Sequence, residues 1–432
     1  MKTITLLAAV TLLANTATIA QSRRDPRAVA LQIAERVLAN TSYRFINRET
    51  KETLASTRGV DPGVPLRVES QYNDWHYTNG VLAIAMMELA DETGDKRFEE
   101  FVLKNMNFVF NEGNLDFFRE QFRRAKEKGG WRAVPALSWH MIFRGKRLDD
   151  NGPMAASLVE LQQRHPNDNF LAYIRETDTH VTRAEPRLPD GTIARLWPHE
   201  QTIWADDAFM AVSFLARMGK FTGDERYFTD AATQIINYTR YLWSPEKQLY
   251  HHCYHTDTGE PGVAHWSRAN GWVFMATADL LSLMPADHAL RPRVLECFRA
   301  QASGVARYQG QHGLWHQVLD KTDSYEEITG TAMFVFGMAR GVKRGWLHPD
   351  FIHVAEQGLR GMMTQVTGTG DVTNICVGTG IMPSLVHYYT RPRQTNIPMG
   401  EGPVLRALVE MCGAPPYREI KADDQYDKIQ VK

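Results

Sequence analysis

The chain has 432 residues, 43% of them hydrophobic, which is enough for a sizeable core in one large domain or two smaller ones. Its formal net charge is −1 at pH 7, and no stretch forms a basic stripe. This balance argues against nucleic acid as a partner and favours a neutral ligand, or an anion held by a local arginine.

The first twenty residues have the features of a secretory signal peptide. Lys2 supplies the positive charge, the apolar run extends over residues 6–13, and small residues at 18–20 form the cleavage site. The apolar run is too short to span a bilayer, and no later segment reaches transmembrane length. We therefore expect an exported protein, secreted or periplasmic, with no membrane insertion.

Beyond residue 20, apolar residues recur with helical periodicity, and alternating strand patterns are scarce. One unit repeats along the chain: a strongly apolar helix, a turn, an amphipathic helix and a long loop. The sequence predicts six apolar helices, at 80–89, 151–161, 209–218, 271–283, 331–342 and 403–411. Amphipathic partners are predicted at 98–110, 169–182, 227–242, 291–308 and 352–366, and residues 25–40 supply the sixth.

Helices that are apolar nearly all round are typical of helices buried on most sides. Six such hairpins can stack as an open superhelix or close into a ring, but an open stack leaves one side of each apolar helix more polar. The sequence therefore predicts an all-α fold, an (α/α)6 barrel of six helical hairpins. We expect a single domain over residues 21–413 and a C-terminal extension over 414–432, which is Pro-rich and then charged.

Four cysteines are widely scattered along the chain. An exported protein can pair such residues, but a core of this size does not need a covalent link. Two of the four also lie within apolar helical runs. We therefore expect free thiols at Cys253, Cys297, Cys376 and Cys412.

The starts of the apolar helices carry aromatic residues, acids and glycines, which is more chemistry than helix capping needs. If the six helices lie parallel around one axis, all the starts meet at one end and form a pocket. Two of the starts carry paired acids, Asp149 with Asp150 and Asp206 with Asp207. Acids facing each other across one mouth suit general acid–base chemistry on a sugar.

These aspartates could instead act only as N-caps and as partners of the helix dipole. We expect one member of each pair to be structural. The first of each pair, Asp149 and Asp206, is the catalytic candidate.

Arg268 lies between Trp266 and Trp272 at another helix start. Arginine suits bidentate recognition of a carboxylate, and the flanking aromatic residues suit stacking on sugar faces. A surface arginine paired with a carboxylate of an inner helix is the plainer interpretation. The aromatic surroundings favour a site that holds an anionic sugar.

The cluster of histidines at 251–255 invites a metal interpretation, but no paired Cys or His-Glu-x-x-His spacing supports it. Adjacent histidines also cannot easily share one ion. We expect no metal and no other cofactor, with His252 or His255 as a hydrogen-bonding residue of the pocket wall. His76 is expected to line the pocket in the same way.

Five blocks of sequence occur in an order that is familiar from one enzyme family. They are Trp75-His76-Tyr77, Trp204-Ala205-Asp206-Asp207-Ala208-Phe209-Met210, Trp266-Ser267-Arg268-Ala269-Asn270-Gly271-Trp272, Gly313-Leu314-Trp315-His316-Gln317-Val318 and Ile375-Cys376-Val377-Gly378-Thr379-Gly380. Together they resemble glycoside hydrolase family 105, the unsaturated uronyl hydrolases, which are related to family 88. The resemblance extends over residues 74–411.

The resemblance implies an (α/α)6 barrel without a metal or an organic cofactor. It also implies unsaturated uronic-acid oligosaccharides as substrates, which polysaccharide lyases leave with a C4=C5 double bond at the non-reducing end. In this family an Asp protonates C4, water adds at C5, and the hemiketal opens and expels the rest of the chain. Asp206 matches the general acid/base and Asp149 the second Asp, whereas the sugar-binding positions match Tyr77, His252, Trp266, Arg268 and Trp272.

Two segments depart from the family pattern, residues 195–199 and an insertion at 114–147 that is expected to lengthen the first loop. Both leave the identity of the glycan open, including galacturonyl against glucuronyl sugar. Two other functions remain as alternatives. One is an inverting glycosidase on the same barrel, and the other is an exported, non-catalytic carbohydrate-binding repeat protein.

Overall fold

A computed structural model describes residues 24–145, 147–196 and 199–414. The predicted signal peptide and all but the first residue of the predicted extension lie outside the described residues. The helices are α1 (Pro26–Ala39), α2 (Tyr77–Thr93), α3 (Arg97–Val109), α4 (Glu112–Gly129), α5 (His140–Arg144), α6 (Leu148–Arg164), α7 (Asp168–Thr179), α8 (Asp206–Thr222), α9 (Glu225–Leu242), α10 (Ser267–Leu283), α11 (Arg291–Ala306), α12 (Ile328–Lys343), α13 (Phe351–Thr364), α14 (Leu385–Tyr389) and α15 (Pro398–Cys412).

Six inner helices form a closed ring, in the order α2, α6, α8, α10, α12 and α15, and α15 packs back against α2. The outer helices α3, α7, α9, α11 and α13 each pack on the inner helix that precedes them, and α1 packs on α15. The predicted (α/α)6 barrel is therefore confirmed, including α1 as the sixth outer helix. Because each outer helix runs back along its inner partner, all six inner helices start at the same end, which we call the mouth.

Glycines near the mouth allow the inner helices to approach one another closely. A Cβ added to Gly152 on α6 would lie 1.8 Å from the carbonyl oxygen of Met210 on α8. A Cβ on Gly80 of α2 would lie 2.4 Å from the backbone of Pro153 on α6. These glycines lie inside helices, so their role is close packing.

Ion pairs close the end of the barrel opposite the mouth. Asp279 on α10 is buried and accepts hydrogen bonds from Arg406 at 2.7 Å and from Arg340 at 3.1 Å. Every inner helix contributes at least one charged residue to this network through its C-terminal half. We call this set the basal network: Glu88, Glu160, Arg217, Asp279, Arg340, Arg406 and Glu410.

Short strands of two or three residues occupy the loops at the mouth. They are β1 (Phe45–Asn47), β2 (Thr53–Leu54), β3 (Leu66–Val68), β4 (Thr202–Trp204), β5 (Trp243–Ser244), β6 (Leu249–Tyr250), β7 (Cys253–His255), β8 (Glu260–Pro261), β9 (Trp315–His316), β10 (Glu326–Glu327), β11 (Ile375–Cys376) and β12 (Arg393–Gln394). The antiparallel pair β4–β7 aligns Trp204 with Cys253. This register brings the start of α8 beside His252.

The insertion is helical, whereas the sequence predicted a longer loop. It folds into α4, two short 3₁₀ turns and α5. Ion pairs one turn apart support α4, such as Arg124 with Glu120 at 2.8 Å, and Phe118 packs its apolar face into the core. These short-range pairs explain why the segment forms a helix.

The four cysteines are free, and three of them are buried, as expected for a core of this size. In the described part of the chain, no helix has the length and apolar character needed to cross a membrane.

Candidate active site

Four aspartates at the mouth divide into two partly exposed and two buried members. The side chains of Asp149 and Asp206 are 17% and 14% exposed, whereas Asp150 and Asp207 are buried. All four lie in the first turns of α6 and α8, and none of them is the N-cap residue.

The two buried aspartates are held by arginines. Arg195 donates from Nε and Nη2 to both oxygens of Asp207, at 2.8 and 2.6 Å. Arg144 forms the same two-pronged pair with Asp150. Burial raises the pKa of Asp207 to about 7, and the charge of Arg195 opposes that rise. These pairs fix the first turns in place and leave Asp149 and Asp206 facing the mouth.

Arg195 also reaches the exposed acid of the neighbouring helix. Its Nη1 lies 3.2 Å from Asp149 Oδ2, and its guanidinium stacks on the Trp204 ring at 4.1 Å from the centroid. Arg195 thereby links the starts of α6 and α8. This role could not be predicted from the sequence, in which Arg195 is only part of a segment that departs from the family pattern.

His252 lies against the candidate acid Asp206. Its Nε2 is 3.1 Å from Asp206 Oδ2, although the two atoms do not align as a hydrogen bond. Nδ1 of the same ring pairs with the Tyr388 hydroxyl at 2.8 Å, and the ring packs on Trp266 at 4.7 Å between centroids. The pocket wall thus includes Tyr388 from the short helix α14, a residue that no sequence motif indicated.

Arg268 is buried beneath the mouth and holds a loop in place. Its Nη1 and Nη2 donate to the carbonyl oxygens of Cys376 and Val377 at 2.6 and 2.7 Å, and the guanidinium stacks on Trp266. Nε has no partner. Since each Nη carries two hydrogens, Arg268 keeps donors for a ligand while it anchors the Cys376 loop.

Tyr77 lies close enough to Arg268, Asp149 and Asp206 to interact with their charges. Burial raises the pKa of its phenol above the usual range, Arg268 opposes the rise, and the carboxylates of Asp149 and Asp206 add to it. Its ring meets Trp272 edge-on, with 6.2 Å between the centroids. The Tyr77 side chain is therefore near both candidate acids.

His76 caps α2, with Nδ1 2.8 Å from the Thr78 hydroxyl. Burial lowers the pKa of His76, while the charges of Asp74 and Asp149 oppose that shift. Its ring stacks beside Tyr77 at 4.4 Å between centroids. The structure thus brings all eight predicted site residues to the mouth, and their individual roles stay predictions.

Six of the buried polar atoms that have no hydrogen-bond partner lie in this pocket. Buried polar groups in folded proteins are nearly always paired. A cluster of unpaired donors and acceptors therefore indicates the binding site of a polar ligand. The unpaired atoms here include Asp206 Oδ2, His252 Nε2, Trp266 Nε1, Arg268 Nε, Trp272 Nε1 and Gln317 Oε1.

Residues 47–414 match the sequence profile of Glycosyl Hydrolase Family 88. The chain belongs to this family. It is therefore a glycoside hydrolase, as the resemblance predicted. The family match argues against the alternative of a non-catalytic carbohydrate-binding protein.

Two curated relatives and one solved structure illustrate the similarity. Unsaturated rhamnogalacturonyl hydrolase YesR of Bacillus subtilis is 27% identical over 263 residues, 59% of this chain and 74% of that protein. Unsaturated 3S-rhamnoglycuronyl hydrolase of Alteromonas sp. is 32% identical over 177 residues, 39% of this chain and 42% of that protein.

The solved structure is a possible member of the GH105 family from Salmonella enterica serovar Paratyphi A. It has a TM-score of 0.69 and 20% identity, and the match covers 90% of this chain and 93% of that one. At this level of identity the similarity concerns the fold alone.

The histidines at 251–255 do not converge on one point in this hydrolase. His251 Nδ1 lies 2.7 Å from the Gly262 carbonyl oxygen, His252 faces Tyr388, and His255 Nε2 lies 3.8 Å from the Cys253 sulfur. Within 24–145, 147–196 and 199–414, no group of three or more His, Cys, Asp or Glu side chains is arranged to hold a metal ion.

Proposed function

We propose that this family 88 hydrolase removes a C4=C5 unsaturated uronic acid from the non-reducing end of lyase-generated oligosaccharides. The observation that carries the proposal is the partly exposed pair Asp149 and Asp206 at one mouth, beside a cluster of unpaired donors. An ordinary sugar-binding pocket needs neither two such carboxylates nor a buried arginine beneath them. The two curated relatives both act on unsaturated sugars, according to their names.

The chemistry is the addition of water to the double bond. A proton is added to C4 and a hydroxyl group to C5, which turns C5 into a hemiketal. Opening of the ring gives a ketone at C5 and leaves C1 as a hemiacetal. The hemiacetal then collapses to an aldehyde, and the remaining saccharide departs as an alcohol.

In this proposal Asp206 donates the proton to C4 and then takes a proton from the attacking water. General acid–base catalysis of this kind contributes typically about 10²–10⁴-fold. The nearby imidazole of His252 orients the Asp206 carboxyl, since their atoms lie 3.1 Å apart. Asp149, held by Arg195, binds the sugar hydroxyl groups and balances the charge of the site.

Arg268 binds the carboxylate of the unsaturated sugar. Protonation of C4 gives C5 and the ring oxygen oxocarbenium character, so positive charge develops there while the carboxylate stays negative throughout. The buried guanidinium and the unpaired indole N–H groups of Trp266 and Trp272 therefore hold the carboxylate and orient the double bond towards Asp206.

The experiment is a panel of lyase digests from pectic, ulvan-like and glycosaminoglycan polymers, incubated with the purified protein. Loss of the enoate absorbance, with an open-chain keto product, is the expected result. Release of a saturated sugar with inverted anomeric configuration would instead assign an inverting glycosidase that uses the same acids. Unchanged digests across the whole panel would refute the proposed reaction.

A further inference from the structure

A cavity of about 790 Å³ lies at the mouth beside the start of α6. The insertion forms one wall through Trp131, and the chain before β4 forms the opposite wall through Leu196. Both departures from the family pattern, the insertion and the segment that begins at Arg195, thus meet in one place.

The cavity adjoins the candidate acids. Its lining includes Leu148, the residue before Asp149, and Arg195, which contacts the Asp149 carboxylate at 3.2 Å. The unsaturated sugar is the terminal unit of its substrate, so the rest of the saccharide has to extend from the pocket through the mouth. The cavity lies where that extension begins.

Charged side chains of both signs line the cavity. Arg144 and Arg195 are paired with buried aspartates, and Glu185 lies 2.7 Å from His180. Arg147, the N-cap residue of α6, also lines the cavity. Burial lowers the pKa of Arg147 to about 10, and the charge of Arg144 adds to that shift. The charges of Asp150 and Asp149 oppose that shift, and an acidic group in the cavity would stabilise the charged form of Arg147 further.

The other walls suit the apolar face of a sugar. Trp131 is 43% exposed and Leu196 is 60% exposed, which is unusual for large hydrophobic side chains. Aromatic rings present wide, rigid surfaces for contact. A pocket with such surfaces and an arginine matches a saccharide that carries an acidic substituent.

We propose that this cavity binds the sugar that departs in the reaction, and that Arg147 contacts a sulfate ester or a carboxylate on that sugar. The inference rests on the proposed function, because it places the unsaturated sugar at Asp149 and Asp206. It explains why the segments that vary from the family pattern surround this cavity. In this proposal the insertion and Arg147 determine which glycan the enzyme accepts.

The test compares unsaturated disaccharides that differ only in the departing sugar: neutral, sulfated or carboxylated. The measured quantity is the ratio of kcat/KM for each acidic substrate to kcat/KM for the neutral one. Arg147→Gln removes the charge, and Arg132→Gln removes an exposed charge from the same insertion as a matched control. Hydrogen bonds to charged groups support a ratio of about tenfold to a hundredfold in the wild type.

The expected result is a ratio that falls towards one in Arg147→Gln and keeps its wild-type value in Arg132→Gln. The sulfated and carboxylated arms show which acidic group the cavity selects. Trp131→Ala removes a half-exposed ring that packs on Phe122 and Lys126, and it should raise KM for all three disaccharides even if Arg147→Gln folds poorly. Thermal unfolding followed by circular dichroism checks the fold of each variant.

Two outcomes would overturn the inference while the proposed function stands. One is turnover of the neutral substrate as efficient as that of both acidic ones by the wild type. The other is an Arg147→Gln variant that folds and keeps the wild-type ratio. Failure of all three substrates, together with failure of the digest panel, would refute the proposed function itself.

Discussion

Neighbouring aspartates at the start of α8 have different environments because consecutive helical residues point about 100° apart. Asp206 faces the mouth and lies beside His252, whereas Asp207 points inward to Arg195. The same division separates Asp149 from Asp150 on α6. A one-residue difference therefore decides which carboxylate can meet a substrate.

We expect Asp206→Asn to lower kcat by about 10²–10⁴-fold, the typical contribution of general acid–base catalysis. Asn keeps the size of the side chain but cannot deliver a proton. Loss of enoate absorbance measures the rate, and binding of the substrate by the variant shows that the pocket is intact. Asp287→Asn, at an exposed site beyond the end of α10, serves as the control. A near wild-type rate in Asp206→Asn would move the role to Asp149 or Asp207.

Arg268→Lys keeps the positive charge but loses the planar fork that holds two carbonyl oxygens and faces the pocket. We expect kcat/KM to fall about tenfold to a hundredfold, since hydrogen bonds to charged groups contribute about 1.5–3 kcal/mol. Arg58→Lys, on the exposed surface, should leave the kinetics unchanged. If folded Arg268→Ala protein showed wild-type KM and kcat, Arg268 would only anchor the Cys376 loop.

Activity should survive EDTA followed by dialysis. The proposed reaction needs a proton donor, a held water and a polarised enoate. The side chains of His251, His252 and His255 point to separate partners and do not form a ligand set. The measurement is the initial rate before and after chelation, with elemental analysis of the dialysed protein. Activity lost on chelation and restored by one added metal ion would contradict the proposal.

At the scale of elements, the site depends on how closely the inner helices approach at their starts. Gly152 on α6 is where the backbone of α8 comes nearest, and Arg195 links both helices just above this contact. A change in the spacing of α6 and α8 would therefore move Asp149 relative to Asp206.

Gly152→Ala should lower the free energy of unfolding by about 1–3 kcal/mol, the usual cost of overpacking a core. The added Cβ would lie 1.8 Å from a carbonyl oxygen, so the helices have to separate. Urea unfolding measures the loss, and kcat should fall with it. Gly368→Ala, where nothing lies within 4 Å, should change the unfolding free energy by no more than about 0.5 kcal/mol. Equal stabilities of the two variants would contradict the close approach.

At the scale of the whole molecule, the basal network connects all six inner helices at the end opposite the site. Burial alone would raise the pKa of Asp279, but Arg406 and Arg217 hold it well below its usual value of 3.8. A carboxyl whose folded pKa is depressed stabilises the protein above its unfolded pKa. That stabilisation is lost as the pH falls below 3.8 towards the lower folded pKa.

Asp279→Asn should lower the free energy of unfolding at pH 7 by about 3–5 kcal/mol, because it leaves buried arginines without their partner. The difference between wild type and variant should shrink as the pH falls below about 4, because the carboxyl of the unfolded wild type takes up a proton there while the folded one stays ionised. Urea unfolding at several pH values gives both numbers. Asp95→Asn, which breaks an exposed pair with Arg97, should show little effect. If the difference in unfolding free energy did not depend on pH, the ionised carboxyl of Asp279 would not be what stabilises the basal network.

The sequence by itself determined the six hairpins and the closed ring. Apolar periodicity is a property of each helix alone, and a helix such as α2 that is apolar nearly all round has to be buried on most sides, as a closed ring allows. It also indicated which end of the barrel carries the site, since helix starts share one end when hairpins repeat.

Only the tertiary structure decided which charges meet. The contacts of Arg195 with Asp149, of His252 with Tyr388 and of Arg268 with the Cys376 loop join residues far apart in the chain. The helical form of the insertion and the packing role of Gly152 also emerged only there. The physical reason is that such contacts depend on the spacing and rotation of neighbouring helices around the ring, and no local pattern of residues specifies those quantities.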